Sequence, residues 1–84
     1  MAGEKIIGKV THYYDHLSVA ILELASGLKQ GDKLHFVGHG RNFEQTVSSM
    51  QVEHQNVLSA QLGELVGMKV DQPVKEGDLA YLVA

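Results

Sequence analysis

Hydrophobic and polar residues alternate along most of this chain. In "KIIGKVTHYY" (5–14), "SVAILEL" (18–24), "KLHFV" (33–37) and "FEQTVSSMQVEH" (43–54), branched or aromatic side chains recur at about every second position. That is the period at which a strand turns one face toward a core. "ELVGMKV" (64–70) and "LAYLV" (79–83) read the same way, and helical spacing is confined to a turn or so around "NVLSAQL". The pattern predicts an all-β domain. Within 43–54 the phase slips: Phe43, Gln45 and Val47 share one face, Met50 and Val52 the other. A β-bulge near Ser48–Ser49 would restore a single inward face, as happens where a strand bends around a barrel. Six or seven short strands without helices predict a small closed antiparallel β-barrel.

A second regularity is a glycine followed by an acid. It occurs at Gly3–Glu4, Gly31–Asp32, Gly63–Glu64 and Gly77–Asp78, each time ahead of a predicted strand, and "LKQGDKLHFV" (28–37) returns as "VKEGDLAYLV" (74–83). Glycine supplies the positive φ of a tight turn, and a following carboxylate accepts hydrogen bonds from turn amides. A phosphate cradle needs more: both the Walker and the dinucleotide fingerprints are missing, and either would be followed by a helix. The doublets are read as strand-launching turns, and Lys29, Lys75, Asp32 and Asp78 as turn and surface residues.

Size and charge narrow the classes. The 84 residues, 44% hydrophobic, suffice for one small core, so 1–84 is read as a single domain. Cysteine is missing, which removes thiol catalysis, zinc–thiolate sites and disulfide frameworks. Seven basic residues against ten acidic give a net charge of -3, so no long-range field draws nucleic acid. The longest apolar run, "VAILELA", is too short to span a bilayer, and the N-terminus has no secretory pattern. A cytoplasmic protein without a membrane role is expected.

The ordered pieces "GKV" (8–10), "GLKQGDKLHFVG" (27–38), "VSSMQV" (47–52), "AQLGELVGMKV" (60–70) and "VKEGDLAYLV" (74–83) resemble the second domain of translation elongation factor Tu and related factors. The resemblance covers almost the whole chain and implies a compact domain-2-like barrel. It implies a binding role, toward the aminoacyl end of transfer RNA or toward the ribosome. Related barrels also sit at the C-terminal end of some collagenase-like peptidases. In the factors this barrel follows a GTPase domain, and nothing here would bind GTP. The two places where the factors face RNA have diverged, into "HYYDHL" (12–17) and "VEHQNV" (52–57), so no functional residue carries across by motif.

The residues themselves offer several candidates. His12, Asp15 and His16 spell H-x-x-D-H, and His35 and His39 share its four-residue spacing. On a helix such spacing would suit zinc, but on strands and turns the side chains do not converge automatically. Tyr13, Tyr14 and the flanking histidines suit an exposed recognition loop, although strand alternation turns one of the two tyrosines inward. Arg41, the chain's one arginine, lies beside Asn42 in "GHGRNF" (38–43), where a guanidinium could fork onto a phosphate or carboxylate. His54 and Gln55 could meet bases or peptide, with Asn56 beside them as a turn residue. No nucleophile–base pair or cofactor motif stands out, and Ser48 and Ser49 lack a nucleophile elbow. The expected protein is therefore a non-enzymatic binding module without cofactor or metal. Its expected site is His12, Tyr13, Tyr14, His16, Arg41, His54 and Gln55, and its expected ligand transfer or ribosomal RNA. The alternative is a protein-interaction module, an accessory barrel that docks on an enzyme or pairs with itself. A small histidine metal-binding protein comes third.

Overall fold

The computed structural model describes residues 4–83. Within them lie ten strands and no helix: β1 (Glu4–Tyr14), β2 (Val19–Leu24), β3 (Leu28–Lys29), β4 (Lys33–Gly38), β5 (Arg41–Thr46), β6 (Met50–Val52), β7 (Gln55–Val57), β8 (Ser59–Ala60), β9 (Leu65–Lys69) and β10 (Leu79–Val83). Eight of these form one antiparallel sheet in the order β5-β4-β10-β1-β2-β9-β6-β7, while β3 and β8 pair separately. Alternation does what the sequence pattern demands. Ala20, Leu22 and Leu24 of β2, Leu34 and Phe36 of β4, and Val66 and Met68 of β9 all enter one contiguous core. There Phe36 stacks on Phe43 with ring centroids 5.2 Å apart.

The expected all-β class holds, but the sheet does not close into a barrel. β5 and β7 remain the two ends of the ladder. The reason lies in the segment 43–54, which is not one bulged strand. After Thr46 the chain leaves β5, and Val47 bonds to the turn before β4 (Val47 N–H to Asp32 O, 2.8 Å; Gly31 N–H to Val47 O, 3.0 Å). Beyond this break β6 pairs with β9, and a turn at Glu53–His54 leads into β7. The phase slip was real, but it marks a strand break in place of the expected bulge at Ser48–Ser49. Bulges occur instead in β1, between Ile6 and Gly8 against β10 and between Val10 and His12 against β2. The hint of helix around "NVLSAQL" is also corrected, since this stretch carries β7 and β8.

A buried side chain spans the opening that the ladder leaves. Gln45 of β5 donates from Nε2 to Lys69 O (2.9 Å) and accepts at Oε1 from Asp71 N–H (2.7 Å), so its amide stands in for one rung between β5 and the end of β9. Both halves of the amide are satisfied, as a buried polar group requires.

The glycine–acid turns are strand launchers in a definite sense. Gly31, Gly63 and Gly77 have φ of 95°, 89° and 94°, the third position of type II turns. In each turn the acid closes back on the first residue. Its N–H donates to the carbonyl of Lys29, Gln61 or Lys75, and its carboxylate accepts that residue's N–H at 3.0, 2.7 and 3.0 Å. Each turn also clasps one apolar residue of a passing segment, exchanging two main-chain bonds with Val47, Leu24 or Val10. β4, β9 and β10 begin at the next residue. The fourth doublet lies partly outside the described residues. Asp78 departs from expectation in one respect: it is a turn residue but a buried one.

Two hairpins use two-residue loops with both residues at positive φ, His39–Gly40 (53°, 83°) and Glu53–His54 (52°, 66°). This is the turn that matches the twist of paired strands.

Two outcomes are expected. Gln45→Met fills the same space but strips Lys69 O and Asp71 N–H of their partner, and should lower unfolding free energy by about 2–4 kcal/mol in urea titration. A loss within error would mean that the amide does not hold the opening together. His54→Gly removes the left-handed strain of an exposed side chain and should raise stability by about 0.5–1 kcal/mol, seen as a melting temperature higher by roughly 2–8 °C.

Candidate functional site

The polar side chains converge where β4 ends, β10 begins and β1 passes its second bulge. Asp78 has no exposed side-chain surface and receives two donors: Lys75 N–H at Oδ2 (3.0 Å) and the imidazole of His39 at Oδ1 (2.5 Å). A buried carboxylate only accepts, so His39 presents its Nδ1–H to Asp78. The half-exposed ring is held by that bond. Gly38 makes the approach possible, since a Cβ at this position would lie 2.5 Å from Asp78 Oδ1. The sequence thus folds the β4–β5 hairpin over the turn of residues 75–78 through a residue without a side chain, one left-handed histidine and one acid.

Around this node stand three of the residues expected to form the site. His12, on the outer face of β1 opposite Ile21, has Nδ1 3.5 Å from Glu76 Oε2. Tyr14 packs edge-on against the His12 ring, with centroids 4.3 Å apart at 65°. Arg41 does not offer a free fork, because its Nε donates to Pro73 O (2.7 Å) and its Nη1 to His39 O (3.4 Å). It clamps the segment before the turn. Tyr13 is the tyrosine that turns inward, packed against the core.

The other expected residues lie elsewhere. His16 is almost wholly exposed in the β1–β2 connection, 3.8 Å from its neighbour Asp15, while His12 turns to Glu76. The stretch 12–17 is also less of a loop than expected, since His12, Tyr13 and Tyr14 still belong to β1. His54 and Gln55 are exposed at the β6–β7 turn, and Asn56 is a strand residue whose Oδ1 accepts from Gln51 Nε2 at 3.1 Å. His35 meets Asn42 Oδ1 at 2.5 Å on the outer face. Among the described residues no group of three or more His, Asp or Glu is arranged to hold a metal ion. An open groove of about 260 Å³ runs between Gln30, Ser49, Met50, Asn56, Val57 and Leu58.

Sequence reasoning weighed His39 only for its spacing from His35 and Asp78 only as a turn and surface residue, and gave Glu76 and Gln45 no part in a site. One signal was present. A histidine between two glycines in a two-residue hairpin is a residue forced to positive φ, which marks its position as special.

An aspartate orienting an imidazole is an arrangement that enzymes use for proton transfer and metal sites use to aim a ligand. Here its traceable partners are a turn, a hairpin and a strand, and the pair fastens them together. The fold and the node therefore define a small all-β module whose buried polar groups hold an open sheet. Comparison with known proteins places it more closely. Residues 3–80 match the family model described as the peptidase family U32 C-terminal domain, and the chain belongs to that family. It is 42% identical over 78 residues to an uncharacterized protease of Methanocaldococcus jannaschii, a match covering 92% of this chain and 19% of the relative. The chain thus spans about a fifth of the length of that relative. Two crystal structures of the C-terminal domain of a Geobacillus thermoleovorans protein assigned to the U32 peptidases share the fold. One superposes with a TM-score of 0.89 at 20% identity, covering 95% of this chain and 93% of that one; the other, a selenomethionine variant, gives 0.87 at 22% identity, covering 90% and 96%.

The family match corrects the resemblance to elongation factor Tu and, with it, the expectation of a translation-factor-like, RNA-binding domain. The matching pieces were mostly the turn clasps and the strands they launch. These pieces report turn hydrogen bonding and strand starts, which carry no ligand chemistry by themselves.

His39→Ala leaves a buried carboxylate oxygen without its donor, and a loss of roughly 2–3 kcal/mol is expected in urea unfolding. His16→Ala should leave the midpoint in place. In a double-mutant cycle, His39 and Asp78 should couple by at least about 1 kcal/mol; additive losses would show that the contact contributes no stability of its own.

Proposed function

We propose that this chain is a non-catalytic accessory domain that docks on the body of a U32-type peptidase protein. The observation that carries the reading is the 42% identity to one-fifth of a much longer protease-named relative, within a family defined as a C-terminal domain. The local chemistry agrees. The Asp78–His39 pair, Gln45 and Arg41 are engaged in holding the sheet, which leaves surface, not a reacting group, as the means of action. The docked partner is a protein, and the domain calls for no cofactor. Among the described residues no helix is long and apolar enough to cross a membrane. A cytoplasmic location is part of the same proposal.

The test removes the matched segment from the methanogen relative and supplies this chain in trans. Co-sedimentation of the chain with the remaining body at micromolar concentrations is expected, with no peptide hydrolysis by the chain alone. Hydrolysis of a mixed peptide substrate by the isolated chain, or failure to associate at any concentration reached, would refute the proposal.

A further inference from the structure

We draw no further inference here: the strongest candidate, the open groove of about 260 Å³ beside the end strand β7, where Leu58 stands 75% exposed, is an apolar face, and nothing in the structure shows what covers it.

Discussion

A type II turn whose acid folds back on its own first residue, while its glycine and acid together grip a passing strand, is the constraint on which this domain depends. It occurs three times, gripping Val47, Leu24 and Val10. Each grip joins segments far apart in sequence, and these junctions carry the sheet order, since β4, β9 and β10 start from them. Short strands in a small chain bury little surface each, so correct pairing cannot rest on hydrophobic contact alone. The clasp removes that ambiguity. Its carboxylate satisfies an amide the turn would otherwise leave unpaired, and the strand that follows has its register set by the residue gripped.

The same economy explains why the sheet stays open without fraying. β6 and β7 have three residues each, and neither pairs with β5. Closing the ladder would require a longer strand after Val47, but Val47 is already held by the first clasp. Gln45 resolves the conflict by reaching across with a side chain where the backbone cannot. At the other end β7 is short and polar, with Gln55 and Asn56 exposed, which discourages pairing with a stray strand.

Alternation made most strands legible from the sequence, because a half-buried strand writes its own period into the chain. The segment 43–54 misled for a physical reason. Its phase slip is local, but the choice between bulge and break was made by Gly31 and Asp32, which are remote in sequence. Asp78 was illegible on similar grounds. "KQGD" and "KEGD" are nearly the same four residues, yet Asp32 keeps some exposure and Asp78 has none, because the β4–β5 hairpin folds over the second and not the first. Of the residues expected to bind a ligand, His12 and Arg41 lie near one end of the sheet, held by groups the sequence does not place beside them. Their partners Glu76 and Pro73 lie more than thirty residues away, and no spacing rule reaches that far. The elongation-factor resemblance failed because clasps and strand starts report how a sheet is hung, not what it binds.

That distinction also bears on where function is to be sought. A side chain that satisfies a buried group is constrained by the fold, and its chemistry is explained once the fold is. His39, Asp78 and Gln45 fall into this class. Leu62 does not: it stands exposed where the sister turns hold Gln30, bonded to Ser48 O, and Glu76, beside His12. Exposed apolar side chains are ordinary when scattered. They gain meaning only when a second observation shows what covers them.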